Sequence, residues 1–206
     1  MSKSFLVSVS AIMAFSFTLT LQADTLYMTT SDSGAGSSSF NNWDISGTPK
    51  GAPLPENDYV CAGFNINAPN SGATQSFGGK SLRLGDAANN KSGNLILRRY
   101  GNTTVEFQRT GLILEQGSVQ PWFSTKDGGK QYTFTGTIDV RSTQSTPFEF
   151  CIADKNADHL GMTYLLTATF KGAAGTGVAL VNRIDNPNGL AVLNPTVSDF
   201  SGLFII

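Results

Sequence analysis

The chain has 206 residues, of which 40% are hydrophobic, 10% aromatic and only 14% charged, with a formal net charge of −1. Basic and acidic side chains are interspersed rather than blocked, which excludes the electrostatic footprint of a nucleic-acid-binding or anionic-membrane-binding protein. Charged straight-chain residues that build helix surfaces are scarce and Gly, Ser, Thr and Asn are plentiful, so strands and turns are expected in place of helices.

Lys3 precedes a run from residue 5 to residue 21 that carries no charge, the pattern of a basic n-region and an apolar h-region. Cleavage after Ala23 is expected, making residues 1–23 a signal peptide, although Leu21 is larger than the residue preferred two positions earlier. The Ser and Thr content of the run and the polar Gln22 argue against an uncleaved anchor, and no transmembrane segment is expected after signal removal. About 180 residues then remain, enough for one domain with a sizeable core. The protein is thus expected to be exported, to a periplasm, an outer surface or the medium.

Residues 24–46 read as a Ser/Gly/Asn-rich N-terminal segment; the tract 29–42 can bury little, and ordered structure is expected from near Trp43. Three prolines and an Asn-Asp pair in residues 47–58 lead irregularly into a strand at Tyr59 and Val60, which places the folded domain at 47–206. Further along, Leu82 with Leu84, Leu95 with Leu97, Val105 with Phe107, Leu112 with Leu114, Phe148 with Phe150 and Val178 with Leu180 mark short strands between turn residues. The clearest signal is period-two alternation: Tyr132, Phe134, Ile138 and Val140 hold one parity against Thr133, Thr135, Thr137, Asp139 and Arg141 on the other. Met162, Tyr164, Leu166, Ala168 and Phe170 repeat it.

A weak repeat emerges from Phe-x-Gly at Phe77, Phe134, Phe170 and Phe200, unevenly spaced, with the first gap near twice the last. Unequal rungs joined by variable loops suit a β-solenoid, because insertions project outward and leave the stacked strands intact. The segments Phe77-Gly78-Gly79-Lys80-Ser81-Leu82-Arg83-Leu84 and Tyr132-Thr133-Phe134-Thr135-Gly136-Thr137-Ile138-Asp139-Val140 resemble the rung motif of bacterial autotransporter-type passenger proteins with β-strand repeats. The resemblance covers residues 60–206 and implies a short right-handed parallel β-helix, displayed at a cell surface or shed from it. The repeats are fewer and less regular than that family's, and the alternating ten-residue strands of a translocator barrel are missing. The reading is an all-β, secreted or surface-displayed structural or adhesive module without catalytic activity, with glycans or other cell-surface components as partners. A carbohydrate-binding β-sandwich and a β-helical polysaccharide-degrading enzyme are the alternatives.

No residue stands out as catalytic, no metal site is expected and no cofactor is called for. His159 is the only histidine and reads as a loop-surface residue despite Asp158 beside it. Asp154, Asn156 and Asp158 are spaced like the opening of a Ca²⁺ loop, but His159 stands where such a loop needs Gly and Leu165 where it needs Glu, so a capped turn is expected. Gly172, Gly175 and Gly177 precede strand-like residues, not a helix, and read as turn glycines. Trp122 and Phe123, after Pro121, are the ligand-binding candidates, an aromatic platform for a sugar ring; Trp43 is weighed likewise. Enzymatic chemistry would need convergent groups such as Asp139 with Arg141 and Glu106 with Arg109, which salt-bridged solvent faces explain equally well.

Cys61 and Cys151 separate the folds. In a β-helix they stand roughly three rungs and on the order of 14 Å apart, too far for a disulfide, which needs about 4.4 to 6.8 Å, whereas a sandwich could join them. Residues 200–206 are apolar and uncharged and stop within a strand, so the domain is expected to be incomplete at its C-terminal end or to self-associate there.

Overall fold

The computed structural model of the chain describes residues 23–31, 53–68, 74–97, 102–121, 131–153, 163–182, 190–193 and 196–206. The signal peptide up to Gln22, Trp43, the platform residues Trp122 and Phe123, the 154–158 loop and His159 lie outside them.

Strands β1 (Thr25–Tyr27), β2 (Asp58–Cys61) and β3 (Asn65–Asn67) open the fold. Successive coils follow: β4 (Thr74–Phe77), β5 (Ser81–Leu84) and β6 (Gly93–Leu97); then β7 (Thr103–Leu114) and β8 (Gly117–Pro121); then β9 (Gln131–Val140) and β10 (Phe148–Ala153). The next coil is β11 (Thr163–Leu166), β12 (Thr169–Gly172) and β13 (Gly177–Asn182), and the last is β14 (Leu190–Leu193), β15 (Thr196–Phe200) and β16 (Leu203–Ile205). Every pairing between these strands is parallel. That is a parallel β-solenoid. It overturns the sandwich alternative, whose sheets are antiparallel.

The cross-section has three faces. The first stacks β4, the front half of β7, the front half of β9, β11 and β14. The second stacks β1, β2, β5, the rear halves of β7 and β9, β12 and β15. The third is the six-stranded sheet β3, β6, β8, β10, β13 and β16. Ser76 sits beside Glu106 across 30 residues and Asn65 beside Asn94 across 29, so one coil takes about 30 residues.

Period-two alternation builds each face. In β9 Tyr132, Phe134, Ile138 and Val140 are buried while Thr133, Thr135, Thr137 and Asp139 are only partly so; β-branched threonines suit the pleated outer surface. Stacking then aligns the buried side chains. Tyr59, Leu82, Leu112, Ile138 and Phe170 form one ladder on the second face, and Ile66, Leu95, Val119, Phe150 and Leu180 form another on the third. Aromatic rings run along the axis from Tyr59 through Phe77, Phe107 and Phe134 to Phe150 and Tyr164, with centroids 5.6 to 6.4 Å apart. Each such contact adds about 0.5–1.5 kcal/mol beyond the area it buries.

The corners are turned at close range. Gly136 has φ +85 and faces Phe107 of the preceding coil, whose carbonyl oxygen would lie 2.0 Å from an added Cβ. Gly117 stacks on Gly93 with the same 2.0 Å clearance at the corner between the second and third faces. Only glycine fits either place.

Three details differ from expectation. The solenoid begins before Trp43, because β1 pairs with β2 and Asp24 N donates to Asn57 Oδ1 at 3.0 Å. Val105/Phe107 and Leu112/Leu114 belong to one bent strand, β7, where two were expected. Phe-x-Gly marks two different corners: Phe77 and Phe134 precede the second face, whereas Phe170 and Phe200 precede the third. At the far end β16 is the edge of its sheet, Leu203 is 51% exposed, and Phe204 packs 5.1 Å from both Phe170 and Phe200.

Cys61 lies on the second face in β2 and Cys151 on the third in β10, and both are buried thiols. Mass spectrometry of unreduced protein, alkylated after denaturation, is expected to show two added groups. A mass lacking them, with a Cys61–Cys151 crosslink in the digest, would contradict the coil register.

Candidate functional site

Outward side chains of the second face come from residues one coil apart, and the parallel register decides which of them meet. Asp58 opens β2 directly opposite Ser81, which opens β5. Ser81 Oγ donates to Asp58 Oδ1, and Lys80 Nζ lies 3.0 Å from Oδ2. Burial pushes the Asp58 carboxyl up, but the hydrogen bonds from Ser81 and Lys80 outweigh it and hold the group below its usual range. Farther along, Arg83 Nη1 lies 3.4 Å and Arg141 Nη1 3.8 Å from the same Glu115 oxygen. Arg141 Nε also donates to Asp139 Oδ2 at 2.9 Å. The result is a chain of charges, Arg83–Glu115–Arg141–Asp139, running from β5 across the residues that follow β7 and β9.

Of the sequence-derived pairs, Asp139 and Arg141 meet, as a salt bridge. Glu106 precedes the bend in β7 and Arg109 lies in it, each with other partners. Glu106 accepts from Ser76 Oγ and from Gln108 Nε2 (2.9 Å), and these bonds hold its carboxyl below the usual range. Arg109 Nη1 donates to Gly78 O at 3.3 Å. Carboxyls held low are ionised at neutral pH, so Glu106 and Asp58 suit hydrogen-bond acceptance and not proton donation to a leaving group. Of the three glycines read as turn glycines, Gly175 sits at φ +89 in a turn, whereas Gly172 ends β12 and Gly177 opens β13.

Two open grooves flank this network. One, of about 320 Å³, runs over Asp58, Ser81, Arg83, Ile113 and Arg141. The other, of about 590 Å³, lies at the corner between the first and second faces and is lined by Lys80, Arg109, Thr110, Asp139 and Lys171. On the third face a polar ladder runs Asn65, Asn94, Ser118, with Asn94 Nδ2 donating to Asn65 Oδ1 and Ser118 Oγ to Asn94 Oδ1, each at 2.9 Å. Among the described residues no three of His, Cys, Asp and Glu gather as a metal site. Inside the core, burial raises the Tyr164 hydroxyl well above its usual range, and Oη donates to Cys151 O at 2.7 Å.

Sequence reasoning missed Lys80, Arg83, Glu115 and Lys171. Lys171 was within reach, since it continues the outward parity of the Tyr164–Phe170 alternation. Comparison with known proteins finds no family model, no curated protein and no solved structure that matches the chain.

Because the folded Asp58 carboxyl titrates below its ordinary 3.8, its contribution to stability is complete above that value and is lost as pH falls through the folded one. Thermal melts from about pH 6 down to about pH 2 are expected to show a shallower acid loss of Tm in Asp58→Asn than in the native protein. Equal acid slopes would show that the Ser81 and Lys80 contacts do not stabilise the fold.

Proposed function

We propose that the chain is an exported structural or adhesive module, secreted or held at a cell surface, in the manner of the autotransporter-type passengers it resembles. The observation that carries this reading is the solenoid's outer surface. Two of the three faces carry ladders of polar side chains, Asn65–Asn94 leading to the buried Ser118 on one and the Arg83–Glu115–Arg141–Asp139 chain on another. Stacked repeats of this kind create the extended surfaces that solenoid proteins use for binding. The uncharged apolar run between Lys3 and Ala23 supports export.

Partners are glycans or other cell-surface components. The open edge at β16, with Leu203 exposed, supports self-association through residues 200–206 as a second contact. Catalysis on polysaccharide is the weaker reading, since Asp139 is held by Arg141.

The purified protein, applied to a printed array of neutral and acidic glycans, is expected to retain a subset of them and to release no new reducing ends from them. Turnover abolished by Asp139→Asn would replace the adhesive reading with an enzymatic one.

A further inference from the structure

The corner groove between the first and second faces holds more positive charge than its own carboxylate needs. Lys80, Arg109 and Lys171 line it against Asp139 alone. Asp139 is already matched by Arg141 at 2.9 Å, and Lys80 by Asp58 at 3.0 Å. Arg109 and Lys171 are exposed, and among the described residues neither has a carboxylate in ion-pairing range. Lys171 stacks between Asp139 and Asp199 in the parallel register, so Arg109 is the cation left over, on a protein whose overall charge is slightly negative.

Arg109 carries a second, independent signal. Its φ is +57, a left-handed conformation that disfavours any side chain. The coil before turns the same corner on Gly78 and Gly79, and the coil after on Gly136, itself at φ +85. A glycine would turn the corner at Arg109 with less strain, so the guanidinium is kept at a place where the backbone favours its removal. Strain held at one exposed cation beside a groove points from geometry to a ligand.

We propose that this groove binds an acidic polysaccharide, a polymer carrying carboxylate or sulfate groups among hydroxyls, with Arg109 and Lys171 holding the acid groups. The proposal rests on the adhesive reading above and names its ligand. Arg109 offers the planar fork suited to a carboxylate or sulfate, and Lys171 a mobile point charge. Asp139 within the groove and Thr110 beside it accept hydrogen bonds from sugar hydroxyls. Groups that bind hydroxyls beside the cations favour a hydroxyl-rich acidic polymer over duplex DNA, which offers no free hydroxyls along its backbone.

The test is biolayer interferometry of the purified protein against polygalacturonate, dextran sulfate, neutral dextran and duplex DNA at low ionic strength, alongside thermal melts. The native protein is expected to bind the two acidic polymers, with affinity falling as salt rises, and not neutral dextran. Arg109→Gly is expected to keep or raise Tm while weakening polymer binding, and Arg109→Gly with Lys171→Gln to weaken it at least about tenfold. Lys91→Gln, outside the groove, serves as the control and is expected to bind as the native protein does.

Unchanged binding in the double variant, or equal binding of neutral dextran, would overturn the assignment. So would duplex DNA held more tightly than either acidic polymer and released by the same substitutions, which would make the groove a nucleic-acid site. If acidic polymers fail to bind while the glycan array still retains neutral glycans, this inference falls alone. If the array is also blank, the adhesive reading falls with it.

Discussion

Parallel coils can satisfy their backbone hydrogen bonds only when they stack about 4.8 Å apart, and the rest of this molecule follows from that spacing. Each strand between the two ends gives its N–H and C=O groups to the coils on either side, so no coil is stable alone. The spacing must hold at the corners as well as along the faces. There the chain turns with the preceding coil's carbonyl almost in contact, as Gly136 does against Phe107 and Gly117 against Gly93. Inside, the same repeat aligns side chains of similar bulk, and the row of aromatic rings from Tyr59 to Tyr164 fills the axis.

The surface is a consequence of the same geometry. Residues about 30 positions apart become neighbours, so an outward side chain is partnered by what the next coil offers at its register. Arg83, Glu115 and Arg141 meet because β5, β7 and β9 are stacked on the second face. Where the register offers no carboxylate, as at Arg109, unspent charge is left on an extended surface. A fold whose interior is filled by side chains exposes its chemistry outside, which is why the functional reading rests on faces and grooves and not on an enclosed pocket.

Much of the fold was legible in the sequence where alternation ran long enough. Tyr132 to Val140 and Tyr164 to Phe170 show their inward parity directly, since four or more apolar positions repeat at period two. Short or polar strands were not legible. β3 presents one apolar side chain, Ile66, between two asparagines, and β8 presents Val119 between Ser118 and Gln120, too few for a periodic signal. β1 lay hidden because three residues ahead of a Ser/Gly tract carry no pattern of their own. Phe-x-Gly misled as a single repeat because a bulky inward residue followed by a glycine suits two different corners. The charged chain on the second face was beyond sequence reasoning for another reason: its members are paired by coil register, which depends on the lengths of the intervening loops.

Close stacking at the corners is most directly tested by comparing two glycines of similar backbone conformation. Gly136 and Gly175 have φ of +85 and +89, but an added Cβ at Gly136 meets Phe107 O at 2.0 Å, whereas at Gly175 nothing lies within 4 Å. Equilibrium unfolding of Gly175→Ala measures the conformational cost alone, about 1–2 kcal/mol. Gly136→Ala adds the collision between coils and is predicted to lose at least about 2 kcal/mol more. Equal losses in the two variants would contradict the account, because they would mean that the coils can part at the corner without cost.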